Sequence, residues 1–200
     1  MYVKICGLKD VDAAEVAVEA GADAIGMVIN ATSPRAIDED RARSIVGAVA
    51  HRAETVLVVN DMTGADAARL AGRIGVDVLQ LHGPYSQLEF SAAAALFPRL
   101  WRATSLTHAP TARVGDYGEE ALLLDAPRPG SGERWDLTSV RDNGLTGRWI
   151  LAGGLTPDTV ADAVAQARPW GVDVSSGVES APGVKDHDAI RAFLSAAKNL

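Results

Sequence analysis

The sequence alternates short apolar runs with longer alanine-rich stretches, and the alternation repeats eight times along 200 residues. Runs rich in Val, Ile and Leu are typical of buried strands, whereas the alanine-rich stretches carry charges at helical spacing. We predict strands at residues 2–6, 24–29, 55–59, 77–82, 99–104, 121–125, 148–152 and 171–175. We predict helices at residues 10–20, 38–50, 63–74, 86–97, 110–116, 136–142, 157–167 and 187–198.

Local signals mark several helix ends. Thr156 followed by Pro157 is the pattern of an N-cap with proline at the first helical position, and Gly21 and Gly75 stand where helices should end. The last predicted helix has an apolar face that should pack on the outside of a sheet. That face consists of Ile190, Phe193, Leu194 and Ala197.

Eight strand-helix units can close into a (β/α)8 barrel or form an open doubly wound sheet. Counted alternately from the strand ends, one face of several strands is polar. It carries Lys4, Cys6, Asn60, Gln80, His82, Arg102, Asp125, Asp173 and Ser175. Polar side chains from so many strands meet only if the strands surround a common axis. We therefore predict an α/β fold in which residues 1–200 form one (β/α)8 TIM-barrel domain.

Charge and cysteine content restrict the surroundings of this chain. With 19 basic and 26 acidic residues the net charge is -7, which disfavours broad contact with nucleic acid or an anionic membrane. The single cysteine cannot form an internal disulfide, and no apolar run approaches the roughly 18–20 residues of a membrane helix. We expect a cytoplasmic protein, and the sequence leaves a monomer and a homodimer open.

Two polar residues at strand ends are candidates for proton transfer. Cys6 ends the first strand, and Asp125 directly follows Leu122, Leu123 and Leu124. Such a carboxyl has a raised pKa, which suits a general acid, whereas a thiol base needs positive charge nearby to lower its pKa. The alternatives are a buried structural cysteine and an aspartate that caps the next loop. Lys4 lies on the same face as Cys6, and Asp173 on the adjoining strand is its nearest anionic partner by alternation.

Two glycine-containing loops follow the last two strands, where barrels commonly bind phosphate. They contain Gly153, Gly154, Ser175, Ser176 and Gly177. Other polar candidates have simpler interpretations as well. Arg35 in a proline turn could bind a carboxylate in a bidentate fork or remain a solvated charge. His82 could act as a base, although a structural histidine is the simpler interpretation, and the four histidines show no metal-ligand spacing.

The order and spacing of several segments resemble the phosphoribosylanthranilate isomerase family of tryptophan biosynthesis. The segments are Val3-Lys4-Ile5-Cys6-Gly7-Leu8, Ser33-Pro34-Arg35, Gln80-Leu81-His82-Gly83, Leu123-Leu124-Asp125, Ala152-Gly153-Gly154-Leu155, Val172-Asp173-Val174-Ser175-Ser176-Gly177-Val178-Glu179 and Pro182-Gly183 with Lys185-Asp186. The resemblance runs from Val3 to the C-terminus.

This resemblance implies an Amadori rearrangement without cofactor or metal, the third step from chorismate. The substrate would be N-(5-phosphoribosyl)anthranilate and the product 1-(2-carboxyphenylamino)-1-deoxyribulose 5-phosphate. The implied roles are general acid for Asp125, general base for Cys6 and a carboxylate site at Arg35. Phosphate would bind at Gly154, Ser175, Ser176 and Gly177, with Gly153 beside them. Asp173 would contact sugar hydroxyls or orient the site, and Gln80 and His82 would line the substrate site.

The resemblance also implies that the loop at residues 127–133 closes over the substrate. Two rival interpretations stay open at this point. One is a phosphosugar barrel enzyme that serves both histidine and tryptophan synthesis, which would favour a longer chain and an aspartate where Cys6 stands. The other is a non-catalytic barrel that binds a phosphorylated metabolite, which predicts loss of the acid or the base.

Overall fold

The computed structural model describes residues 1–126, 137, 140 and 144–200. Eight parallel strands form a closed barrel in sequence order, and β1 pairs with both β2 and β8. The strands are β1 (Tyr2–Cys6), β2 (Ala24–Val28), β3 (Glu54–Val59), β4 (Val78–His82), β5 (Leu100–Thr104), β6 (Ala121–Leu124), β7 (Trp149–Leu151) and β8 (Gly171–Val174). The predicted (β/α)8 barrel is confirmed, and the open sheet is excluded by the pairing of β1 with β8.

Helices pack around the barrel within the described part of the chain. They are α1 (Val11–Glu19), α2 (Glu39–Val49), α3 (Gly64–Ile74), α4 (Gln87–Ala94), α5 (Val160–Ala167) and α6 (His187–Lys198). Five of them begin at a side-chain oxygen that accepts a backbone N–H of the first turn. These N-caps are Asp10, Asp38, Thr63, Ser86 and Asp186. The predicted apolar face of α6 is buried, and Gly75 ends α3 in the left-handed conformation.

Two predicted helix positions are wrong. No helix forms at 110–116; instead, the chain from Ser105 to Gly118 makes successive turns closed by hydrogen bonds such as those from His108 N to Ser105 O and from Gly118 N to Gly115 O. The helix predicted at 157–167 begins only at Val160, because residues 157–159 form a turn. In that turn the Thr159 hydroxyl accepts the Thr156 N–H. The predicted helix at 136–142 lies outside the described residues, apart from positions 137 and 140.

The prediction that Arg102 faces the barrel interior is also wrong. Trp101 and Ala103 are the inward residues of β5, so Arg102 points to the outer side. Its guanidinium lies 3.8 Å from the centre of the Tyr117 ring, which gives a cation-π contact. Asp116 Oδ2 lies 3.9 Å from Arg102 Nη1. The turns that replace the predicted fifth helix therefore supply the partners of Arg102.

The barrel interior contains a packed apolar cluster below an open mouth. The cluster consists of Cys6, Ala24, Val56, Val58, Val78, Trp101, Ala103, Ala121, Leu123, Ile150 and Ala152. At the amino ends of the strands Tyr2 stacks on Trp170 with ring centres 4.3 Å apart, and it meets Trp101 edge to face. Among the described residues, no helix combines the length and the apolarity that crossing a membrane requires.

A short hairpin follows β8 and one turn of 3-10 helix at Ser176–Val178. Its strands are β9 (Glu179–Ala181) and β10 (Val184–Lys185). The hairpin packs against the loop after β2 so closely that a Cβ atom at Gly183 would lie 2.3 Å from the Pro34 carbonyl oxygen. This packing brings Glu179 and Lys185 to the mouth of the barrel.

Candidate active site

Two adjoining pockets open at the carboxyl ends of the strands. The larger encloses about 680 Å³ and is lined by predicted site residues Cys6, Arg35, Gln80, His82, Asp125, Asp173, Ser175 and Ser176. The smaller is lined by Gly153, Gly154 and Gly177 together with Asp125, Asp173, Ser175 and Ser176. All predicted site residues thus lie around one connected space. The four residues shared by both pockets mark the boundary between them.

Asp125 stands on the rim where both pockets meet. It is buried, and burial raises the pKa of its carboxyl from an ordinary 3.8 to about 6. Its Oδ1 accepts a hydrogen bond from Ala126 N at 2.8 Å, which works to lower the pKa but does not outweigh burial. The local capping contact and the raised pKa therefore coexist at this residue.

Cys6 is buried at the end of β1, directly above an ion pair. The predicted pair is confirmed, since Lys4 Nζ donates to Asp173 Oδ1 at 2.8 Å and Lys4 is fully buried. Burial works to lower the pKa of Lys4, but Asp173 and Cys6 outweigh burial and raise it. A Cβ atom at Gly26 would lie 2.8 Å from the sulfur and 3.1 Å from Lys4 Nζ, so the cation and thiol share space that only glycine leaves open.

Lys4 supplies the nearby positive charge that a thiol base needs, but it does not bring the pKa of the Cys6 thiol towards neutrality. Burial raises the pKa of the Cys6 thiol above its ordinary value of 9.0, and Lys4 only opposes this rise. The physical reason is desolvation, because the thiolate loses more from leaving water than it gains from the ammonium groups of Lys4 and Lys185. The thiol form therefore predominates at neutral pH.

His82 and Gln80 lie on β4 and face the larger pocket. Burial and the charge of Lys4 lower the pKa of His82, so the imidazole is neutral at pH 7. Its Nε2 is 3.9 Å from Asp125 Oδ2, which is too far for a hydrogen bond. Among the described residues the buried Oε1 of Gln80 meets no hydrogen-bond donor. A neutral imidazole and an amide make this wall of the pocket polar without adding charge.

Arg35 enters the pocket across the end of β1. Gly7 has φ +75°, and a Cβ atom there would lie 2.6 Å from Arg35 Cδ and 3.0 Å from Ser175 Oγ. The close neighbours of Gly7 are thus the side chains of Arg35 and Ser175. Arg35 is already paired with a carboxylate of its own chain, because Glu179 accepts hydrogen bonds from its Nε and Nη2.

The smaller pocket lies where the loops after β7 and β8 touch. Gly153 and Gly154 both have positive φ, and a Cβ atom at Gly153 would lie 2.5 Å from Ala126 N. A Cβ atom at Gly177 would lie 1.8 Å from the Leu155 carbonyl oxygen. No other residue type fits this contact without moving the backbone. Serine hydroxyls and loop N–H groups in such a place suit an oxyanion.

Sequence reasoning missed Glu179 and Lys185 as parts of the site. Lys185 Nζ donates to Glu179 Oε1 at 2.8 Å and to the Ser175 carbonyl oxygen at 2.9 Å. Both residues stand in the segments that carried the family resemblance, but their convergence depends on a hairpin that has no strong local signal. Within the described ranges no group of three or more His, Cys, Asp or Glu residues is arranged to hold a metal ion. The loop at 127–133 lies outside those ranges.

A closed eight-stranded barrel with a buried carboxyl, a thiol and a glycine-lined pocket at its mouth is the arrangement of a (β/α)8-barrel enzyme. Residues 3–196 match the family model for N-(5'-phosphoribosyl)anthranilate (PRA) isomerase. The chain is 38% identical over 199 residues to the N-(5'-phosphoribosyl)anthranilate isomerase of Pseudomonas fluorescens (strain Pf0-1), which covers 98% of this chain and 97% of that protein. This chain belongs to the N-(5'-phosphoribosyl)anthranilate isomerase family.

Solved structures agree with this assignment. The crystal structure of TrpF from Jonesia denitrificans superposes with a TM-score of 0.92 at 55% identity, covering 100% of this chain and 97% of that one. A phosphoribosyl anthranilate isomerase crystallised with reduced 1-(o-carboxyphenylamino)-1-deoxyribulose 5-phosphate superposes with a TM-score of 0.85 at 32% identity, covering all of both chains.

Proposed function

We propose that this chain isomerises N-(5-phosphoribosyl)anthranilate to 1-(2-carboxyphenylamino)-1-deoxyribulose 5-phosphate in tryptophan biosynthesis. The observation that carries the proposal is the layout of the two connected pockets. Arg35 lines the larger pocket, glycines and serine hydroxyls line the smaller, and Asp125 lines both. A molecule with a carboxylate at one end and a phosphate at the other fits this order of groups.

Asp125 acts as the general acid in the first step. It donates a proton to the ring oxygen of the ribose, the bond between that oxygen and C1 breaks, and the nitrogen lone pair forms a C1=N bond. The product of this step is an open-chain Schiff base. A carboxyl with a pKa of about 6 is a better donor near neutral pH than one at 3.8, because more of it is protonated.

Cys6 acts as the base in the second step. The thiolate removes the proton from C2, the C2–H electron pair forms a C1=C2 bond, and the C1=N pair returns to nitrogen. The resulting enolamine tautomerises to the aminoketone, so atoms and electrons balance without a cofactor. The raised pKa of Cys6 means that the reacting thiolate is a minor form, for which Lys4 provides the nearest compensating charge.

The ends of the substrate are held by separate groups. Arg35 binds the anthranilate carboxylate, and the loops that contain Gly154, Ser175, Ser176 and Gly177 bind the ribose phosphate. Gly153 shapes the phosphate loop. Asp173, fixed by Lys4, is available to a sugar hydroxyl through its second oxygen, while Gln80 and His82 line the middle of the pocket. A related isomerase was crystallised with reduced 1-(o-carboxyphenylamino)-1-deoxyribulose 5-phosphate, a ligand that carries a carboxylate at one end and a phosphate at the other.

The assay for the proposal follows the fluorescence of the anthranilate group with freshly made substrate and purified protein. We expect the substrate signal to decay at a rate proportional to enzyme concentration. Absence of turnover with tight binding of the substrate would favour a non-catalytic metabolite-binding barrel. We place the reaction in the cytoplasm, because its base must remain a reduced thiol.

A further inference from the structure

Among the described residues, Glu179 contacts one edge of the Arg35 guanidinium. Nε donates to Glu179 Oε1 at 2.7 Å, and Nη2 donates to Oε2 at 2.9 Å. The two side chains are 14% and 4% exposed, so the pair is shielded from solvent. A guanidinium has five N–H groups, and this contact uses two. The other edge, formed by Nη1 and Nη2, keeps the geometry that a second carboxylate requires.

Glu179 is itself held by groups of its own hairpin. Lys185 Nζ donates to Oε1 at 2.8 Å, and Gly183 N donates to Oε2 at 3.1 Å. Burial works to raise the pKa of Glu179, but Arg35 and Lys185 outweigh burial and lower it. The carboxylate is therefore ionised at neutral pH. Two cations around one anion leave a net positive charge at this end of the pocket.

The aliphatic stem of Arg35 is confined as well. Gly7 leaves no room beyond its own backbone, and the hairpin that carries Glu179 packs against the Pro34 carbonyl through Gly183. Residues of the protein itself thus fix both the aliphatic stem of Arg35 and one edge of its guanidinium. A side chain fixed in this way loses less conformational entropy when it binds an anion.

We propose that Glu179 is a positioning residue that holds Arg35 by its Nε–Nη2 edge and reserves the Nη1–Nη2 edge for the aryl carboxylate of the substrate. The inference rests on the proposed function and assigns to Glu179 the preference for substrates that bear this carboxylate. Lys185 supports the same arrangement, because it offsets the negative charge that Glu179 would otherwise present to an incoming anion.

The test compares two phosphorylated ligands that differ only in the aryl carboxylate. They are reduced 1-(o-carboxyphenylamino)-1-deoxyribulose 5-phosphate and its phenylamino counterpart. Calorimetry gives the Kd of each for wild type, Glu179→Gln, Arg35→Met and the double variant. Glu19→Gln, an exposed change at the end of α1, is the matched control.

A charge-assisted bidentate contact should give wild type a preference of about 10–100-fold for the carboxylate ligand. Glu179→Gln should raise the Kd of the carboxylate ligand at least ~10-fold and change the Kd of the phenylamino ligand by less than about threefold. The double variant should match Arg35→Met, because the two residues act through one contact. The control should bind as wild type.

Two results would overturn the positioning role. One is that Glu179→Gln keeps the wild-type preference for the ligand with the carboxylate. The other is that Glu179→Gln weakens the binding of both ligands equally, which would mean that Glu179 serves only the structure of the hairpin. Glu179→Asp provides a second variant if Glu179→Gln unfolds, because it keeps the charge but is too short to span both nitrogens as before. Lack of substrate turnover by wild type removes the proposed function and this inference together, whereas turnover with an unchanged preference removes only the inference.

Discussion

Replacing Asp125 with Asn should stabilise the protein while it disables the reaction. Burial raises the pKa of this carboxyl from 3.8 to about 6, so the folded chain binds its proton more tightly than the unfolded chain does. The contribution of Asp125 to stability is therefore fully present below the unfolded pKa and is lost as the pH rises towards 6. The shift corresponds to about 3 kcal/mol of unfavourable ionisation at pH values well above 6.

Asn has nearly the same shape and cannot ionise. Its Oδ1 can still accept the hydrogen bond from Ala126 N that Asp125 makes. We expect the free energy of unfolding of Asp125→Asn to exceed that of wild type by about 2–3 kcal/mol near pH 8, and by less than ~1 kcal/mol near pH 4. Turnover should fall at least ~10²-fold in the same variant.

Urea unfolding of both proteins at the two pH values measures the difference. Asp40→Asn is the matched control, since the Asp40 side chain is 95% exposed, and it should change stability by less than about 0.5 kcal/mol at either pH. If Asp125 served mainly to cap the following loop, Asp125→Asn would be destabilised by a similar amount at both pH values. That result would refute the electrostatic reasoning.

Three further outcomes follow from the site. The reaction needs protonated Asp125 and ionised Cys6, whereas the pKa directions favour ionised Asp125 and a protonated thiol. We therefore expect kcat to rise up to about pH 6 and to stay level until the Cys6 thiol titrates. A fall in kcat directly above pH 6 would contradict the order of the two pKa values. Lys4→Met is combined with Asp173→Asn so that no unpaired carboxylate is left buried. Compared with Asp173→Asn alone, the double variant should have a higher thiol pKa and slower alkylation of Cys6 at a fixed pH. Equal alkylation rates in the two variants would exclude an effect of Lys4 on the thiol. Gly177→Ala places a Cβ atom 1.8 Å from the Leu155 carbonyl oxygen and should weaken binding of the phosphorylated product at least ~10-fold, whereas an unchanged Kd would place the phosphate elsewhere.

The barrel was predictable because periodicity is local. Each strand of Val, Ile and Leu and each alanine-rich helix has its own pattern, and the alternation of polar residues correctly placed Lys4 opposite Asp173. Arg102 failed although the predicted and observed strands both end at Thr104, because the inward side chains of β5 are those of Trp101 and Ala103. Alternation along a strand separates its two faces but does not say which face points inward. The fifth helix failed because turn-forming residues at Pro110 and Gly115 compete with helix propensity over a short stretch.

The candidate site was predictable only in part. Residues at strand ends converge in any barrel, so Cys6 and Asp125 could be placed together from the sequence. The ionisation of Cys6 could not, because desolvation depends on how fully the finished fold encloses the sulfur. The pairing of Arg35 with Glu179 spans 144 residues and depends on how a hairpin packs against a loop, which no short-range pattern encodes.

The rate of substrate consumption by Cys6→Ser and Asp125→Asn, compared with wild type under single-turnover conditions, tests the acid-base assignment most directly. Both residues line the same pocket, and each is assigned one proton transfer. We predict that each variant still binds the reduced product analogue and loses at least ~10²-fold in rate. Wild-type turnover in either variant would contradict the assignment.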